Sequence, residues 1–260
     1  MVERRRPLVF ITDYGYEDIY GSALVGASLK VDSGALCILG THGVPAGDIL
    51  AGAYQLKAAA LAFPLGTIVC VVVDPGVGTS RRAIAVQAAG VTCVAPDNGL
   101  ISYLWMESTP HERHAVEIAV PASASATFAG RDVFAPTAAH LARGASLQEF
   151  GRPIADPIVL ADAFARREGD AVSGRVVVVD HFGNAITTIR RVDLAGRRIR
   201  AAEWSGGRTS DVVRTYDEIR GPLAVLIGSA GHLEIAARRG PAVDQGGPQP
   251  HEAVVVSLEG

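Results

Sequence analysis

From residue 7 to about residue 143, short unbroken apolar runs alternate with stretches of helical periodicity. Residues 8–11, 35–39 and 67–73 are apolar at consecutive positions and mostly β-branched or aliphatic, the pattern of strands buried on both faces. Between them, residues 20–31 and 49–63 carry helix formers at helical spacing, with Asp48 placed to cap the second helix. Residues 83–86 and 92–94 read as a hairpin around Ala89-Gly90, and residues 134–143 as a helix closed by Gly144. Such alternation predicts an α/β layer on a largely parallel central sheet.

The pattern changes after Arg166-Arg167-Glu168-Gly169-Asp170. Residues 174–179, 199–204, 212–216, 223–227, 233–237 and 253–258 are short strand-like runs separated by turn residues, with no convincing helix among them. A smaller antiparallel β-barrel is expected there. The boundary falls near residues 160–172, giving an α/β domain over 1–165 and a barrel over 170–260. Residues 239–251, rich in Gly and Pro, read as a loop.

Composition narrows the partners. A chain of 260 residues, 48% hydrophobic and 20% charged, has ample core. A net charge of −3 with dispersed arginines argues against nucleic acid. The basic start Met1-Val2-Glu3-Arg4-Arg5-Arg6 is followed by too short an apolar run for a secretion signal. Lys57, Pro64 and Gly66 interrupt the apolar stretch around residues 49–73, so no transmembrane helix is expected. Cys37, Cys70 and Cys93 follow no metal spacing and read as buried thiols of a cytoplasmic protein.

Candidate chemistry gathers where strands end, as ligands do beyond the carboxyl ends of strands in open α/β sheets. The first run ends in Thr12-Asp13-Tyr14-Gly15, the third in Asp74-Pro75-Gly76-Val77-Gly78-Thr79, and the hairpin strand in Ala95-Pro96-Asp97-Asn98-Gly99. Any one of these aspartates has a plain reading as a turn or cap; three together, one followed by Arg81 and Arg82, favour a site. Thr127-Phe128-Ala129-Gly130-Arg131-Asp132-Val133-Phe134 pairs Arg with Asp before a helix, either as a site or as a salt-bridged helix start. Asp180-His181-Phe182-Gly183-Asn184 offers a carboxylate and an amide, or a plain β-turn. His42 and His232 lack evident partners and read as structural. No metal-ligand spacing occurs.

Together these blocks resemble the S-adenosyl-L-methionine hydroxide adenosyltransferases, relatives of enzymes that halogenate the same substrate. The resemblance rests on Thr12–Gly15, the Asp74–Arg81 loop, Ala95-Pro96-Asp97-Asn98-Gly99-Leu100, residues 127–136, Asp180–Asn184 and Ser229-Ala230-Gly231-His232-Leu233-Glu234-Ile235-Ala236, which fall in family order over nearly the whole chain. It implies hydrolysis of S-adenosyl-L-methionine at the ribose 5′-carbon to adenosine and methionine, without a cofactor or metal. It also implies a homotrimer, with the pocket between the N-terminal domain of one subunit and the C-terminal domain of its neighbour. By the same resemblance Asp13 binds the ribose hydroxyls, Asp180 the methionine ammonium, and Asn184 the adenine edge with backbone near Ser229. Asn98, Phe128, Gly130 and Phe182 join them as substrate contacts.

Asp74 and Arg81 match two members of the family's water-holding Asp, Arg and His set. Ala129 stands where its usual Thr-Phe-His-Gly-Arg-Asp block carries the imidazole, and Thr188 replaces a common Asn. Two other readings follow. A relative that binds the nucleoside without turning it over would fit Ala129. A halogenase would have to accommodate Asp74, whose carboxylate repels a halide by on the order of several kcal/mol in a desolvated pocket.

Overall fold

The computed structural model describes residues 5–260; the start of the basic opening, residues 1–4, lies outside the described residues. The chain divides into two compact units, Met1–Leu160 and Ala161–Gly260.

The first unit runs β1 (Leu8–Thr12), α1 (Tyr20–Val31), β2 (Cys37–Thr41), α2 (Ile49–Ala62), β3 (Ile68–Val72), β4 (Ala83–Ala88), β5 (Val91–Pro96), α3 (Ser102–Glu107), β6 (His114–Ile118), α4 (Ala135–Ala142) and β7 (Gly151–Pro153). Its strands form one sheet in the order β2-β1-β3-β5-β4-β6-β7. β1 pairs in parallel with β2 and β3, and β3 with β5. The remaining pairs are antiparallel. The parallel half is the one the apolar runs announced. The reversal comes from the β4–β5 hairpin, where Ala89 and Gly90 both take positive φ (50° and 74°), as a tight primed turn requires.

Successive side chains of a strand point to opposite faces, and both faces here are covered. Leu8, Phe10, Ile68, Cys70 and Val72 pack with Leu24 of α1 and Ala138 and Leu141 of α4. Val9, Ile11, Val69 and Val71 pack with Ala51 and Leu56 of α2 and Leu104 of α3. That double burial is why β1 and β3 read as continuous apolar runs. Asp48 caps α2, its carboxylate accepting the Ala51 N–H at 3.0 Å.

Before α4 the chain makes one π-type turn over Gly130–Phe134, in which the Ala135 N–H reaches back to the Gly130 carbonyl. Pro136 lacks an N–H, which relieves the wider turn of one bonding demand. In this unit three elements escaped the sequence pattern: α3, β6 and the short edge strand β7. Cys37 is half-buried rather than fully buried, because β2 is an edge strand; Cys70 and Cys93 are wholly buried. Burial pushes the Cys93 thiol up to about 12, so it stays protonated and unreactive.

The second unit consists of β8 (Arg166–Glu168), β9 (Ala171–Val179), β10 (Ala185–Arg190), β11 (Ile199–Trp204), β12 (Gly207–Thr209), β13 (Ala224–Ile227), β14 (His232–Ala236) and β15 (Ala253–Leu258). Its antiparallel sheet runs β12-β11-β15-β9-β10-β14-β13, with β8 also on β9. A single bridge between Val212 and Val225, and the Thr209 hydroxyl donating to the Leu223 carbonyl at 2.8 Å, draw the two edges together into a nearly closed barrel. Val172, Val176, Ile189, Trp204, Val225, Leu233, Ile235 and Val256 fill it.

Two expectations need correction. Residues 212–216 form no strand beyond that one bridge, and Tyr216–Glu218 instead make a 3₁₀ turn. β10 was hidden because Thr187 and Thr188 interrupt its apolar pattern. Both are fully buried, with the Thr187 hydroxyl donating to Leu233 O and the Thr188 hydroxyl accepting the Arg175 N–H. Among the described residues no helix is long and apolar enough to cross a membrane.

Candidate active site

The ends of β1 and β3 meet a cleft of about 400 Å³, lined by Asp13, Tyr14, Tyr20, Val72, Asp74, Val77, Ser125, Thr127, Phe128, Ala129, Gly130 and Arg131. That volume lies in the range of small-molecule sites. Of the sequence candidates, Asp13, Asp74, Phe128 and Gly130 converge here.

Asp74 begins a tight loop that turns back on itself. The Val77 N–H bonds the Asp74 carbonyl and the Thr79 N–H the Gly76 carbonyl, each at 3.2 Å. At Gly78 (φ +81°) a Cβ would lie 2.9 Å from the Ala126 carbonyl oxygen, so glycine is needed both for the turn and for the close approach. The loop delivers Arg81 to Asp74 in a two-point clasp, Nε donating to Oδ1 at 2.9 Å and the second guanidinium nitrogen to Oδ2. The side chains are only 6% (Asp74) and 15% (Arg81) exposed, and the guanidinium also lies 5.2 Å over the Phe134 ring. The carboxylate is thereby fixed in place and charge-balanced while it faces the cleft.

Asp13 is held differently: its carboxylate accepts the Gly47 N–H at 2.8 Å. The turn that follows is fixed by the buried Thr12 hydroxyl, which accepts the Tyr14 N–H at 3.2 Å and lies 2.7 Å from His42 Nδ1. His42 therefore has a partner, contrary to the sequence reading, and its structural role is to brace the turn that carries Asp13. Burial lowers its pKa below the ordinary 6.5. The unfolded chain then binds the proton more readily than the folded one, so stability is full above pH ~6.5 and falls as pH drops through that value. The melting temperature of the wild type should decline below about pH 6.5, and a His42→Gln variant should lack that component; equal acid sensitivity in the two proteins would remove His42 from this role.

The third strand-end carboxylate is structural. Asp97 is 2% exposed and fully engaged, accepting Arg82 Nε at 2.7 Å and the Ile158 N–H at 2.8 Å. Asn98 donates to the Val73 carbonyl at 2.9 Å, tethering the backbone immediately before Asp74. Arg131 and Asp132 pair with one another at 2.6 Å, and Asp132 also accepts the Ser125 N–H. Its hydrogen bond from Arg131, ahead of other causes, holds the Asp132 carboxyl below the usual range. The pair thus fastens the 125–132 segment, the salt-bridged helix start.

In the second unit, Asp180 organises the turn after β9, accepting the Phe182 and Asn184 N–H groups at 3.0 and 2.8 Å and the Asn184 side-chain amide at 3.0 Å. Phe182 is 77% exposed at its tip. Ser229 is exposed in the β13–β14 turn. His232 is buried, with Nδ1 2.7 Å from the Thr187 carbonyl oxygen, a structural contact.

Sequence reading assigned no role to Tyr14 or Tyr20. Their rings meet edge-on 6.2 Å apart, and each meets Phe128, at 5.9 and 5.4 Å, to form an aromatic wall. A signal existed: three of the chain's six tyrosines (14, 16 and 20) fall within seven residues of Asp13.

Carboxylates presented at strand ends beside an aromatic wall, in a preformed cleft, define an α/β protein with a polar small-molecule site. More specifically, residues 8–151 match the SAM hydroxide adenosyltransferase N-terminal domain and residues 174–255 the corresponding C-terminal domain, and the chain belongs to that family. It is 38% identical to an (R)-S-adenosyl-L-methionine hydrolase of Thermus thermophilus, over 91% of this chain and 94% of that protein. A fluorinase of an Actinoplanes species is 28% identical over 72% of each chain. The crystal structure of an uncharacterized conserved protein from Thermotoga maritima superposes with a TM-score of 0.87 at 30% identity, covering 96% of this chain and 99% of that one.

Proposed function

We propose that this protein hydrolyses S-adenosyl-L-methionine at the ribose 5′-carbon, releasing adenosine and L-methionine. The observation that carries the reading is the Asp74 carboxylate, clasped by Arg81 and facing the cleft. Family membership supports the substrate, and the greater identity to the hydrolase than to the fluorinase supports water as the nucleophile.

The sulfonium leaves as a neutral thioether, so the protein need supply neither an acid nor a metal to expel it. Its task is to place water in line behind C5′ and to exclude surplus solvent. As the O–C5′ bond forms, the C5′–S electron pair passes to sulfur, and the proton shed by the water goes to Asp74. Arg81 holds that carboxylate in one orientation. Asp13 takes the ribose hydroxyls, Phe128 and Gly130 shape the nucleoside pocket, and Asn98 supports it by holding the backbone before Asp74. Asp180, Phe182, Asn184 and the backbone at Ser229 of a neighbouring copy complete it around the methionine ammonium and adenine.

That arrangement requires a neighbouring copy, and we infer that the assembly is the homotrimer the resemblance implies. Supporting self-association, edge strand β2 has Leu39 54% exposed, Leu36 just before it is 52% exposed, and Ile19 is 74% exposed. Three unpaired cysteines fit a cytoplasmic setting. No cofactor is required by this chemistry.

The test is incubation of purified protein with S-adenosyl-L-methionine, with and without chloride or fluoride, followed by chromatography. Adenosine and methionine in equal amounts, independent of halide, support the hydrolase. A 5′-halo-nucleoside replaces it with the halogenase, and tight adenosine binding without product replaces it with the non-catalytic binder that Ala129 suggests.

A further inference from the structure

We propose that the Tyr14 phenol is a second water-holding group of the active site, acting beside Asp74 on the nucleophile. This rests on the hydrolase reading and adds a residue to it.

Position comes first. Tyr14 lines the cleft together with Asp13 and Asp74. Its backbone is pinned by the Thr12 hydroxyl, and its ring is held edge-on against Tyr20 and Phe128. The hydroxyl reaches deep into the wall: a Cβ on Gly130 would lie 2.3 Å from Tyr14 Oη, so only glycine at 130 admits it. The π-type turn that starts at Gly130 thus presents bare backbone to the phenol oxygen.

Satisfaction comes second. A largely buried tyrosine hydroxyl normally finds a hydrogen-bond partner. Among the described residues Tyr14 makes one hydrogen bond, through its backbone N–H, and its hydroxyl bonds to no protein group. The other hydroxyls of the cleft are differently placed. Ser125 and Thr127 bond one another at 3.2 Å, Tyr20 is half exposed, and Ala129 contributes only a methyl group. The Tyr14 oxygen therefore has no protein partner while its side chain, half-buried, lines the cleft beside Gly130.

Electrostatics agree. Burial first, then Cys70, Asp13 and Asp74, push the phenol well above its ordinary range, with Arg81 pulling the other way. The group stays neutral through the physiological range, and the charges that act on it include the Asp74–Arg81 clasp. An ordered water needs two to four polar partners, and Asp74 alone supplies one. With one water hydrogen on Asp74 and the other on Tyr14 Oη, a lone pair is left for C5′. When the O–C5′ bond forms and the C5′–S pair goes to sulfur, the proton passes to Asp74, and the phenol keeps its own hydrogen.

A Tyr14→Phe variant deletes the oxygen and keeps the ring packing. In the full-length protein kcat should fall about 10²-fold, with KM for S-adenosyl-L-methionine and Kd for adenosine within about twofold of wild type. The melting temperature should not fall. A kcat within about twofold of wild type would overturn the assignment, as would a loss expressed in KM and adenosine binding, which would make Tyr14 a packing residue. A wild type that forms no adenosine defeats the hydrolase reading itself, and this role with it.

Discussion

Asp74→Asn should lower kcat for adenosine release by about 10³-fold, within the span of about 10² to 10⁴ for removal of a positioned proton acceptor. The amide preserves the shape of the side chain and can still accept one hydrogen bond from Arg81. It cannot take the proton that the attacking water sheds, nor balance the guanidinium. Because Asp74 and Arg81 are 6% and 15% exposed, the unbalanced cation also costs stability, about 2–3 kcal/mol, at or below the low end for breaking a buried pair since one hydrogen bond persists. Rates followed by chromatography, beside a thermal melt, separate the two effects: with the variant still folded at the assay temperature, a kcat within tenfold of wild type would exclude Asp74 from the nucleophile's shell.

Asp97→Ala should do the reverse, unfolding the first unit easily while affecting chemistry far less. The Asp97 side chain is 1% exposed and accepts from both Arg82 and the Ile158 N–H. Alanine leaves the Ile158 N–H without its acceptor and Arg82 with only the exposed Asp156. The combined cost is about 3–4 kcal/mol, a fall in melting temperature of roughly 10 °C for a unit of this size. A melting temperature within about 2 °C of wild type would show that Asp156 alone suffices for Arg82.

Three strand-end aspartates that look alike in the sequence therefore have three different surroundings. Asp13 accepts one backbone N–H and otherwise faces the cleft; Asp74 is clasped and faces the cleft; Asp97 is consumed by internal bonds. Of the residues that the motifs singled out in the first unit, Asp13, Asp74, Phe128 and Gly130 line the cleft; Tyr14 and Tyr20 line it too and were given no role, because an aromatic residue beside a turn carries no periodic signature. His42 was passed over for a related reason: its partner Thr12 lies thirty residues away along the chain.

What the sequence determined by itself is local or periodic. Consecutive apolar residues announced β1 and β3 because both sheet faces are covered, and Asp48 announced the start of α2 because its carboxylate bonds an N–H three residues on. β10 and the 212–216 segment were misread because burial of threonine hydroxyls, and pairing with a distant strand, depend on neighbours that the pattern does not show. The resemblance had already set Arg81 beside Asp74, but the partners of Arg82 were likewise left to the tertiary structure. The two are adjacent in the chain immediately before β4, and their side chains part to different carboxylates. Arg81 turns back to Asp74 at the cleft, and Arg82 turns to Asp97 and Asp156. Only the register of β4 beside β5 and the fold of the Asp74 loop decide which carboxylate each one meets.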